Sequence, residues 1–110
     1  MEVPGRVYRA SHILVSHIEA ERSTRTMCRE EALFLAGAIS EEIRTGKYTF
    51  DQAAKIYSDC PSGKANSGNL GTFPANKMDP DFITYVDNLK PGEISGPCPT
   101  VYGFHLIRRN

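Results

Sequence analysis

A chain of 110 residues with 40% hydrophobic and 24% charged side chains has the size and composition of one globular domain, large enough to bury a core without cross-links. Thirteen basic residues balance thirteen acidic ones, which removes the net positive field expected of a protein that binds nucleic acid or an anionic membrane surface. Cys28, Cys60 and Cys98 are irregularly spaced, no apolar run approaches the ~18 residues of a membrane span, and the N-terminus lacks a secretory core, so the expectation is a soluble, reduced, monomeric protein of the cytoplasm or nucleus.

Residues 1–6 form a short extension ahead of a single domain at 7–110. Residues 6–18 are rich in β-branched and aromatic side chains and contain neither Gly nor Pro, which predicts a strand. Alternation places Ala10, His12, Leu14 and Ser16 on one face and Ser11, Ile13, Val15 and His17 on the other. Residues 19–29 are polar and read as a mobile loop. Over 30–44, Leu33, Ala36, Ile39 and Ile43 recur at helical spacing, Glu30 and Glu31 suit the positive N-terminal end, and Gly46 terminates the pattern.

Thr49-Phe50-Asp51-Gln52 has the form of a capping box and opens a second helix that stops near Asp59. The breaker-rich stretch 60–69 reads as a loop, followed by a short strand at 69–73. Asp79-Pro80 predicts an N-cap with proline at the first helical position, and the helix it opens carries Phe82, Val86 and Leu89 inward before Pro91-Gly92. A turn near Tyr102-Gly103 leads to a last strand at 104–109. The elements define an α+β domain with one small sheet, without internal repeat.

Three histidines and three cysteines raise the question of zinc, but no C-x-x-C or H-x-x-x-H pair is present, so neither a metal nor another cofactor is expected. Gly63, Gly68 and Gly71 do not fit a phosphate-binding glycine loop. Cys60 with His12 or His105 has the residue types of a nucleophilic pair. Taken singly, the two histidines read equally well as satisfied sheet residues and Cys60 as a small buried filler. A cysteine hydrolase is disfavoured, because no orienting Asn or Asp stands in motif context. Leu70, Phe73, Met78 and Phe82 gather around the breaker-rich segments as an apolar pocket wall would.

The motifs Tyr57-Ser58-Asp59-Cys60-Pro61-Ser62-Gly63-Lys64 and Gly68-Asn69-Leu70-Gly71-Thr72-Phe73, with Met78 and Phe82 after them, resemble the signature of the parvulin family of prolyl isomerases. Ser11-His12-Ile13-Leu14-Val15 resembles its first strand, and Gly92-Glu93-Ile94-Ser95-Gly96-Pro97 with Tyr102-Gly103-Phe104-His105-Leu106-Ile107 resembles its end; together the likeness covers residues 7–109 in order. The resemblance implies a four-stranded antiparallel sheet surrounded by three to four helices. It also implies peptidyl-prolyl cis-trans isomerisation of proline-containing peptides and proteins, as in protein folding. By the same resemblance His12 and His105 are paired histidines beneath the site, and Cys60 is a thiol facing the rotating bond. Leu70, Met78 and Phe82 hold the proline ring, Thr100 joins the histidine network, and Ser58 sits beside it. The alternative is a proline-binding or chaperone-like module with the same pocket and little catalysis.

The phosphorylation-directed branch of the family carries a basic cluster after the first strand. Here Ser16 stands in the place of its lysine and Glu21-Arg22 in that of its arginine pair. Arg22 and Arg25 remain as substrate-binding candidates, opposed by Glu19 and Glu21, so no strict phosphate requirement is expected. That branch often adds a tryptophan-rich module ahead of the catalytic domain; with no tryptophan and about six residues before the first strand, none is expected here.

Overall fold

The computed structural model describes residues 6–110, so all of the expected extension except Arg6 lies outside the described residues. Strand β1 (Val7–Val15) is followed by helices α1 (Arg29–Arg44), α2 (Phe50–Tyr57) and α3 (Pro61–Asn66). Strand β2 (Asn69–Pro74), a single 3-10 turn (Ala75–Lys77), helix α4 (Pro80–Asp87) and strands β3 (Cys98–Thr100) and β4 (Gly103–Arg109) complete the order. The strands form one antiparallel sheet in the order β2-β1-β4-β3. Strand β1 occupies an interior place between β2 and β4, as its β-branched content favours, with a register shift against β2 between Arg9 and Ser11.

Because side chains alternate along a strand, β1 and β4 feed two cores. Ile13, Val15, Phe104 and Leu106 face one way and bury against Ala32, Ala36 and Ile39 of α1 and Phe50, Ala53 and Ala54 of α2. Tyr8, Ala10 and Ile107 face the other way and pack with Phe73, Phe82 and Val86. His12 and His105 belong to this second face.

Three expectations need correction. The stretch 60–69 contains a helix, α3, where a loop is predicted. Its breakers fall where helices tolerate them: Pro61 is at the first helical position, and the left-handed Ser67 and Gly68 close the C-terminal end, where the Gly68 amide donates to the Ser62 carbonyl at 2.8 Å. In α1 the buried stripe is Ala32, Ala36 and Ile39, while Leu33 is largely exposed. Alanines let the helix lie close to the sheet, and the partly buried Leu35 and Ile43 flank that contact. Helix α4 ends at Asp87, so Leu89 packs from the turn beyond it and is only partly buried.

The local signals at the other helix starts hold. Thr49 Oγ1 accepts the Gln52 amide at 3.1 Å and Gln52 Oε1 accepts the Thr49 amide at 2.9 Å. Asp79 Oδ1 accepts the amides of Asp81 and Phe82, which seats α4 and aims Phe82 at the sheet. Among the described residues no helix is long and apolar enough to cross a membrane.

Candidate active site

The site begins with strand register. His12 pairs with Ile107 and Leu14 with His105, so the two histidines are diagonal neighbours on one face of adjoining strands. Their rings stack with centroids 5.2 Å apart, and Nδ1 faces Nδ1 at 3.0 Å. A hydrogen bond there requires one ring to carry its proton at Nδ1 and the other to leave that nitrogen bare. The chain continues from His105 Nε2 to Thr100 Oγ1 at 2.7 Å, and Thr100 Oγ1 also accepts the Tyr102 amide at 3.2 Å. His12 Nε2 is buried without a hydrogen-bond partner.

Burial holds both imidazoles neutral. His12 is pushed down to about 4. His105 is pushed down to about 3, first by burial and then by the charge of a protonated His12. Groups this reluctant to bind a proton are poor acids at neutral pH. With Phe82, whose ring meets His12 edge-on at 5.7 Å between centroids and His105 at 5.3 Å, they form the floor of a pocket.

Above this floor lies a cleft of about 440 Å³. His12, Cys60, Leu70, Met78, Phe82 and His105 all line it, as do Arg22 and Arg25 from the loop after β1. Eight of the ten expected site residues therefore meet at one opening, while Ser58 and Thr100 stand behind its wall. Thr100 supports His105. Ser58 is not hydrogen-bonded to the histidines: its hydroxyl accepts the amides of Leu14 at 3.0 Å and Cys60 at 3.3 Å, tying the start of α3 to β1. Cys60 is half-buried at the N-cap of α3, and its sulfur accepts the Ser62 hydroxyl at 3.2 Å.

Asp59, Lys77, Asp79 and Tyr102, none of them a site residue expected from sequence, also line the cleft. Asp59 is the one whose carboxylate joins segments distant along the chain. Its amide donates to the Leu14 carbonyl at 2.8 Å, Oδ2 accepts the Ser16 amide at 2.8 Å, and Oδ1 accepts Arg25 Nε at 2.9 Å. Ser16, in the place of a family lysine, is buried with its hydroxyl donating to the Tyr102 carbonyl at 2.9 Å. Only the adjacency of Asp59 to Cys60 marked it in sequence; its partners on β1 and the loop are distant along the chain. Among the described residues no cluster of three or more His, Cys, Asp or Glu is arranged to hold a metal ion.

Comparison with known proteins places this geometry. Residues 12–110 match the family model described as the PPIC-type PPIASE domain, or Rotamase. The chain is 38% identical to the peptidyl-prolyl cis-trans isomerase pin1 of Schizosaccharomyces pombe, covering 93% of this chain and 61% of that protein. It is 36% identical to the peptidyl-prolyl cis-trans isomerase Pin1 of Malus domestica, covering 96% of this chain and 94% of that one. The structure of peptidyl-prolyl isomerase ESS1 from Candida albicans superposes with a TM-score of 0.89 at 26% identity, over all of this chain and 66% of the other.

Proposed function

Because the chain belongs to the PPIC-type rotamase family of parvulin peptidyl-prolyl isomerases, we propose that residues 7–110 accelerate X–Pro rotation by binding the twisted amide in the cleft over Phe82, without a strict need for phosphate before proline. The observation that carries this reading is the single cleft in which an apolar wall of Leu70, Met78 and Phe82 stands beside Cys60 and above a neutral histidine pair.

An X–Pro bond turns against a barrier of about 18–20 kcal/mol set by amide resonance, and uncatalysed exchange takes on the order of tens to hundreds of seconds. No bond has to be made or broken. Catalysis requires only that the twisted amide bind better than either planar form. Twisting localises the nitrogen lone pair and lowers the amide dipole, so an apolar cradle disfavours the planar amide relative to the twisted one. Leu70, Met78 and Phe82 hold the ring while the preceding carbonyl swings past Cys60.

Cys60 acts here as a noncovalent neighbour. A covalent role needs an activated thiolate with a base in reach, whereas the sulfur's partner is the Ser62 hydroxyl and the histidines are hydrogen-bonded to each other and to Thr100 rather than to the thiol. Loss of one such contact is worth about 1–1.5 kcal/mol, or about tenfold in rate. Cys60→Ala is therefore expected to lower kcat/KM about tenfold in a protease-coupled exchange assay, with Cys60→Asp retaining more. A folded Cys60→Ala protein at the uncatalysed rate would reverse the assignment in favour of covalent catalysis. The same assay separates the isomerase from a proline-binding module, which would bind the peptide without accelerating exchange.

The charge around the cleft supports relaxed specificity. Arg22, Arg25 and Lys77 line it together with Glu21, Asp59 and Asp79, so cations and carboxylates balance. Ser-Pro and phosphoserine-Pro peptides of otherwise identical sequence are expected to differ less than about threefold in kcat/KM, within what exposed charges contribute. A preference of a hundredfold for the phosphopeptide would sink the claim.

A further inference from the structure

The cleft still contains arginine, and its charge specificity depends on how that arginine is held. We propose that Asp59 is the specificity-determining residue of the site: its carboxylate quenches Arg25 and repels an anionic group before proline, so that neutralising Asp59 converts the enzyme to one that favours phosphoserine-proline. This inference rests on the reading of the cleft as one without a phosphate requirement.

The argument starts from which partner is fixed. Asp59 is held at two points, through its own amide on the Leu14 carbonyl of β1 and through Oδ2 on the amide of Ser16 just beyond that strand, each at 2.8 Å. Its side chain is 21% exposed against 40% for Arg25. The carboxylate is therefore the anchored member, and Arg25 is drawn to it from the loop, with its amide donating to Ser23 Oγ at 3.0 Å. A guanidinium already accepted by a carboxylate offers a phosphate a weakened charge and one less edge for a forked hydrogen bond. The anchored carboxylate also faces the same opening and opposes any dianion there. The position matters because Asp59 directly precedes Cys60 and both line the cleft together with Arg25, so the quenched pair borders the same opening as the thiol assigned to the rotating carbonyl.

Asp59→Asn keeps an oxygen to accept the Ser16 amide while removing the charge that captures Arg25. The experiment measures kcat/KM for Ser-Pro and phosphoserine-Pro peptides with the wild type, Asp59→Asn, and the Asp59→Asn/Arg25→Gln double variant, after thermal melts confirm folding. The ratio taken within each protein removes any change in overall activity. Freeing Arg25 and deleting the repulsion is expected to raise the ratio about tenfold in Asp59→Asn. The gain should follow phosphoserine's second ionisation near pH 6, shrink at high salt, and vanish in the double variant.

An unchanged ratio in folded Asp59→Asn, or a gain that survives Arg25→Gln, overturns the proposal. If the wild type itself strongly favours the phosphopeptide, the relaxed-specificity reading fails instead, and the two failures are told apart by the wild-type ratio alone. Should Asp59→Asn not fold, Arg25→Gln tests the same pair from the other side. Leaving the Asp59 carboxylate bare is expected to raise the Arg-Pro to Ser-Pro ratio severalfold, and no rise overturns the proposal.

Discussion

Replacing Gly68 by alanine is expected to remove about 3 kcal/mol of stability, lowering the melting temperature by roughly 10–20 °C for a domain of this size. Gly68 sits at φ +82°, a left-handed conformation, and a Cβ there would stand 2.3 Å from the His12 carbonyl oxygen. The obstacle is backbone, so no side-chain rotation relieves it. Nor can the loop swing away cheaply, since the His12 amide donates to the Gly68 carbonyl at 2.9 Å and the Gly68 amide closes α3. The substitution thus pushes directly on the strand segment that carries one of the paired histidines. Activity should fall further than the remaining folded fraction explains. A melt within 3 °C of wild type would show that the approach of Gly68 to β1 is not needed.

Acidification is the second large effect. An ordinary histidine value of 6.5 against about 4 for His12 and about 3 for His105 means that the unfolded chain takes up protons the folded chain refuses. Between pH 6.5 and about 4 the unfolded state binds more protons, so stability falls as pH falls through that window and is fully restored above it. The depression corresponds to a loss on the order of 3 kcal/mol for each ring by the bottom of the window. That is a large share of the roughly 5–15 kcal/mol that stabilises an ordinary domain. Denaturant midpoints measured from pH 7 to 4 should decline steeply, and a His12→Gln/His105→Gln double variant should decline much less. A double variant with the wild-type slope would place the acid sensitivity elsewhere.

What the sequence made legible was what local chemistry decides. The capping box at Thr49 and the Asp79-Pro80 start are short-range signals, and both act in the structure as they read. The shared face of His12 and Leu14 follows from alternation alone. That His12 meets His105 rather than another residue of β4 depends on register, which is set by packing of both sheet faces across the whole chain. The resemblance to a family supplied that long-range information, and with it the trio of Leu70, Met78 and Phe82. The sequence misleads where a residue's place in the turn outweighs its type, and where charges pair across the chain. Helix α3 was hidden because proline and glycine were weighed as breakers without regard to their position in the turn. The bond between Arg25 and Asp59 spans 34 residues of chain and had no signal beyond two opposite charges.

Strand β3 has a consequence for how the protein meets other chains. At three residues, with Pro99 at its centre lacking an amide hydrogen and the Pro99 carbonyl accepting the Tyr85 hydroxyl at 2.8 Å, this one of the sheet's two edges offers almost no ladder for a further strand. On the proposed reading the protein meets proline-containing chains, whose extended flanking segments can add to an open sheet edge. The blunted margin denies them a template there, which favours transient engagement at the cleft over durable capture along the sheet.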